Sequence, residues 1–312
     1  MSTDAGSGQP PIVVGYDPQS RDRAAVLFGV AAARFTGAPL IVVAVCAHEH
    51  GDGHGEELAP DAGQALDELR ADLDAGVEVR EVRGSSAPRA LHEAAEAVGA
   101  GLLVVGSTRR GAVGRVLPGS TAERLMHGAP CSIAVVPHGW QQRGRIDPIG
   151  AAYAATEEGT EALRAAHALA GKAAATLRVV TVVNPVSPVF APIEPTRPAR
   201  DRTDVEDVEG LHEVQAEKAV RQALAAIGAA GVEVEIDSFV EDEPADAIVR
   251  VSEHLDVLVC GSRGYGPLRA VLLGGVSRRV VAEARCPVIV LPRGVKAPLE
   301  ALTTAPGTIA TT

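Results

Sequence analysis

The chain has 312 residues, enough for two domains of ordinary size. It is 46% hydrophobic, 22% charged and only 3% aromatic, the profile of a globular α/β protein built on Val, Leu, Ile and Ala, which excludes disorder as the default. A formal net charge of -11, with no dense run of Lys or Arg, opposes nucleic acid as a partner, and no apolar run reaches membrane-spanning length.

The opening MSTDAGSGQPP lacks the basic start, apolar stretch and small-residue cleavage site of a secretory signal, so a disordered N-terminus (1–10) and a cytoplasmic location are expected. Short apolar runs then alternate with Ala-rich or charged segments of helical spacing. They predict strands over 12–16, 40–46, 77–82, 102–106 and 132–136, with helices over 20–36, 61–75, 87–98 and 119–127 between them. Continuous apolar strands flanked by helices point to a doubly wound parallel sheet, which binds ligands beyond the carboxyl ends of its strands.

The pattern then repeats. LLVVGSTRRGAVGRVLPGSTAERLMHGAPCSIAVVP (102–137) matches VLVCGSRGYGPLRAVLLGGVSRRVVAEARCPVIVLP (257–292) without a gap, so that Gly106 pairs with Gly261, Gly119 with Gly274 and Cys131 with Cys286, each 155 positions apart. Upstream, IVVGYD ending at Asp17 corresponds to IGAAYA ending at Ala154, and LIVVAV from Leu40 to LRVVTV from Leu177, now 137 positions apart. The 18-residue difference is assigned to NPVSPVFAPIEPTRPARDRTDVEDVEG (184–210), which reads as a long loop. The two copies are placed at 11–140 and 149–294, joined by a polar linker at 141–148, and the tail from 295 onward is expected to be mobile.

Two strand ends carry the residues of chemical interest. After the fourth strand of the second copy comes Gly261-Ser-Arg-Gly264, with Gly274-Gly275 at the mouth of the next helix; the first copy has Gly106, Arg109, Gly119 and Ser120 at those places. Glycines let backbone approach a phosphate, and the amides of a helix N-terminus stabilise its charge. Ser120 with Glu123 also forms a capping box, a purely structural alternative. The spacing G-x2-G-x9-G-[S/T], together with an opening strand that ends in Asp, resembles the ATP-binding signature of universal stress proteins, and the resemblance runs from about residue 10 to about residue 295.

That resemblance implies two flavodoxin-like (Rossmann-like) five-stranded domains in tandem, each a potential site for ATP or another adenine nucleotide, with Mg2+ as a possible companion. The acid after strand one and the backbone after strand two would hold adenine and ribose, and the glycine loop and hydroxyls would hold phosphates. Carried over, the first copy offers Asp17, Val45, Gly106, Gly119, Ser120 and Thr121, with Arg109 replacing a glycine; that guanidinium either obstructs the loop or pairs with a phosphate. The second offers Val182, Gly261, Gly264 and Gly274, but has Ala154 for the acid and Gly275 for the hydroxyl, with Ser277 as a stand-in. The family pattern further implies that the last strands, 132–136 and 288–291, pair within the chain as a pseudo-dimer, and that two chains form a homodimer. Function is then a stress-response binding or signalling module, with a slow ATPase and a nucleotide-free scaffold as alternatives.

Other groups read as structural. Cys46, Cys131, Cys260 and Cys286 are widely spaced with no CxxC pair, which fits buried thiols. His48, His50 and His54 with Asp52 and Glu56 offer metal ligands, but the intervening glycines leave them poorly organised, so a polar loop is expected there. The chain has no P-loop, no nucleophile elbow and no HExxH, and its three lysines supply no obvious partner for a β/γ-phosphate.

Overall fold

The computed structural model describes residues 8–47, 60–84, 86–107, 120–142, 144–184, 202–262, 274–292 and 299–304. The first half runs β1 (Ile12–Tyr16), α1 (Ala24–Thr36), β2 (Leu40–Ala47), α2 (Pro60–Asp72), β3 (Glu78–Gly84), α3 (Ala87–Ala97), β4 (Leu102–Gly106), α4 (Ser120–Met126) and β5 (Ser132–Val136). The second repeats it as β6 (Ile149–Tyr153), α5 (Glu157–Ala173), β7 (Leu177–Val183), α6 (Arg202–Ala226), β8 (Val234–Val240), α7 (Pro244–Val251), β9 (Val257–Gly261), α8 (Gly275–Glu283) and β10 (Val288–Leu291).

Every described strand joins one ten-stranded sheet, in the order β3-β2-β1-β4-β5-β10-β9-β6-β7-β8. Within each half the neighbours are parallel and ordered 3-2-1-4-5, which is the Rossmann order; the flavodoxin likeness holds for the double winding only. The halves meet at β5 and β10, which pair antiparallel with Val135 opposite Val288, Ala134 opposite Ile289 and Ile133 opposite Val290. Pairing covers two edges that would otherwise expose unpaired backbone. It also turns one half end for end, so the carboxyl ends of β1 and β4 open on one rim of the sheet and those of β6 and β9 on the other.

Both sheet faces are covered, as uninterrupted apolar strands require. One core packs Phe28 of α1, Leu66 and Leu69 of α2, Leu163 of α5 and Val220 of α6 against Val14, Val104, Val179 and Val259. The other packs Leu91 of α3, Leu125 of α4, Ile248 of α7 and Val281 of α8 against Val13, Leu103, Ile133 and Leu258. Each core draws on both halves. Cys131, Cys260 and Cys286 are buried, and desolvation pushes the first two thiols up to about 12 and the third higher still. Among the described residues no helix is long and apolar enough to cross a membrane.

Four expectations are corrected. The helix expected from residue 20 starts at Ala24, because side chains of residues 17–22 satisfy that loop's backbone instead. The stretch read as a loop through Gly210 is helical from Arg202, where α6 begins. The tail expected to be mobile from 295 includes a 3-10 turn, Leu299–Leu302, whose two leucines are fully buried; Gln9 and Pro10, expected to be disordered, are placed beside it.

Candidate functional site

The crevice of the first half is framed by the ends of β1, β2 and β4. Asp17 follows β1 directly and is exposed. Its Oδ1 accepts the Gln19 amide at 3.0 Å, while the Ser20 hydroxyl donates to the Asp17 carbonyl at 3.0 Å, a local turn that keeps the carboxylate at the rim. Val45 lies near the end of β2, half-buried, and Gly106 ends β4. A Cβ added at Gly106 would meet nothing within 4 Å among the described residues. Ser120 opens α4, with Thr121 half-buried beside it; the Ser120 side chain, Arg109 and Gly119 lie outside the described residues, as do the histidines of 48–54.

Sequence reasoning missed the wall of this crevice. Asp22 Oδ1 accepts the Ala24 amide at 3.1 Å and the Gly139 amide at 3.4 Å, while its Oδ2 meets His138 Nδ1 at 2.6 Å. The His138 amide donates to Ser107 Oγ at 2.9 Å, one residue beyond Gly106. Trp140 then meets Phe28 edge to face, with ring centroids 5.7 Å apart. One carboxylate therefore ties the start of α1 to the segment leaving β5. The only sequence signal was an Asp just before a helix, a common capping position that gives no hint of the distant histidine.

The equivalent place in the second half is built differently. Thr156 caps α5, its hydroxyl accepting the Gly159 amide at 3.1 Å, so this helix begins after residues 154–156 alone, where residues 17–23 intervene in the first half. The early first turn is pressed onto the strand ends. A Cβ at Gly159 would come within 2.0 Å of the Ala154 carbonyl, and one at Gly261 within 2.6 Å of the Glu158 carbonyl. Ser277, the stand-in hydroxyl, donates to the Gly261 carbonyl at 2.9 Å. Gly274 caps α8, Gly275 is exposed and Val182 is half-buried; Gly264 lies outside the described residues. Gly261 is thus demanded by helix packing whether or not a phosphate is bound.

The sequence matches the model of the universal stress protein family twice, over residues 10–137 and 145–292. The chain belongs to the universal stress protein family. A universal stress protein of Mycolicibacterium smegmatis is 36% identical over 132 residues, 41% of this chain and 99% of that one. One of Mycobacterium tuberculosis is 28% identical across 76% of this chain and 80% of its own length. In fold, the chain is similar to a putative universal stress protein from Pseudomonas aeruginosa, with a TM-score of 0.64 at 20% identity over 97% of this chain and all of the other.

Proposed function

We propose that this universal stress protein binds ATP or another adenine nucleotide, with Mg2+, in the crevice of its first half, and works in the cytoplasm as a nucleotide-dependent module of a stress response. The observation that carries this reading is the contrast between Gly106 and Gly261. Packing explains the glycine of the second half, whereas no described neighbour demands one at Gly106, which leaves room for backbone to approach a ligand. Asp17, exposed at the same rim, supplies the acceptor that Ala154 cannot.

In this assignment Asp17 and the backbone at Val45 hold adenine and ribose, and Gly106, Gly119, Ser120 and Thr121 hold phosphates, with Arg109 as a cation for them. The family relationship also favours a homodimer of these two-domain chains, which sedimentation velocity tests. Nucleotide binding is tested by thermal unfolding. A ligand present at a hundred times its Kd and bound only to folded protein adds about 2.7 kcal/mol. A rise in Tm with Mg-ATP that is lost in Asp17→Ala is expected; an unchanged Tm in the parent protein contradicts the proposal.

A further inference from the structure

The C-terminal segment crosses back to the first half. Leu299 and Leu302 join the core that also holds Ile12 and Leu40 of the first half and Ala162 and Leu163 of α5. Leu302 Cδ2 lies against Gly101, 2.9 Å from where a Cβ would stand, and Pro10 Cγ closes on the same spot at 3.1 Å. Gln9 Nε2 donates to the Thr36 carbonyl at 3.0 Å and to the Leu302 carbonyl as well. A single glutamine therefore joins the approach to β1, the end of α1 and the tail.

The second half shows what this socket corresponds to. There Ile146 is buried, Arg145 Nη1 donates to the Ala174 carbonyl at 2.9 Å, and the Asp147 amide donates to Asp256 Oδ2 at 2.8 Å. The linker closes the base of the second half as the tail closes the base of the first. The described residues of the tail meet the first half through packing and one side-chain hydrogen bond.

Glu300, in this turn, is half-buried where the turn packs on α5, whose Glu161 and Arg164 pair with each other at 2.5 Å. We propose that Leu299–Leu302 is a reversible clasp between the two halves, tightened by acid and loosened toward neutral pH, with Glu300 as its titrating group. Burial and the neighbouring Glu161 raise the Glu300 carboxyl above its ordinary range, and Arg164 offsets part of this. A carboxyl raised in the seated state takes up its proton there first. The added grip is complete below the ordinary carboxyl range and is lost as pH rises through the seated value. The clasp is independent of whether any nucleotide binds.

Hydrogen exchange of the full chain, corrected for intrinsic rates, tests it. The amides of Ile12, Gly101 and Ala301–Thr304 are expected to be better protected at mildly acidic than at neutral pH. Glu300→Gln should give the acidic level of protection at both, and Leu302→Ala should speed exchange at these amides about thirtyfold or more. If Leu302→Ala does not fold, a chain ending at Pro292 supplies the open reference, in which Ile12 and Gly101 exchange faster than in the parent. Protection that ignores pH in the parent, or pH dependence that survives in Glu300→Gln, overturns the proposal.

Discussion

Gly106 and Gly261 hold the same place at the ends of β4 and β9, yet among the described residues only Gly261 has helix backbone pressed against it, the Glu158 carbonyl standing 2.6 Å from where a Cβ would sit. Alanine should therefore act oppositely at the two positions. Gly261→Ala forces α5 away from β9 and is expected to cost about 2 to 4 kcal/mol in denaturant unfolding. Gly106→Ala should leave stability within about 0.5 kcal/mol and instead weaken nucleotide binding.

Asp22 is the hub of the first half's wall. Asp22→Ala leaves the Ala24 and Gly139 amides and the His138 ring without their carboxylate, at an expected cost of about 2 kcal/mol. Trp140 is the chain's one tryptophan and packs on Phe28 in the segment that Asp22 holds. Its fluorescence should shift to the red in the variant under native conditions, and an unshifted spectrum would mean that the segment is held by other contacts.

Asp147 gives the linker an acid-sensitive anchor. Its Oδ1 accepts the Thr176 amide at 2.9 Å, and this bond, helped by Arg145 against a desolvation cost, holds the carboxyl below its usual range. A depressed carboxyl contributes stability above its unfolded value and loses it as pH falls through the folded one. Asp147→Ala should cost about 2 kcal/mol near neutral pH and less in acid, as urea titrations across that range would show.

The two halves should melt as one body. Their sheet is continuous through Val135 and Val288, and each core mixes residues of both copies, so neither half can lose its packing alone. Calorimetric and van't Hoff enthalpies are expected to agree; two resolved transitions would contradict this.

The repeat, the parallel strands and the residues at their carboxyl ends were legible because apolar runs and glycine spacing are local signals. β1, β4 and β5 fall at the predicted residues. Side-chain contacts between segments distant in sequence were not legible. Asp22 meets His138 across 116 positions and Gln9 meets Leu302 across 293, and neither pair leaves a periodic trace. The glycine pattern itself was ambiguous, since a glycine needed for helix packing at Gly261 is spelled the same as one that admits a phosphate. The tail misled for a related reason: two leucines three positions apart among Ala, Thr and Pro carry too little pattern to announce a docked turn.

The most direct measurement is nucleotide stoichiometry, by equilibrium dialysis of Mg-ATP against the full chain, the Asp17→Ala variant and the Gly106→Ala variant. One equivalent per chain, lost in Asp17→Ala and weakened in Gly106→Ala, is the predicted result. Two equivalents would put a working site in the second half as well as the first, and one that persists undiminished in both variants would put it in the second half alone; either result contradicts the account.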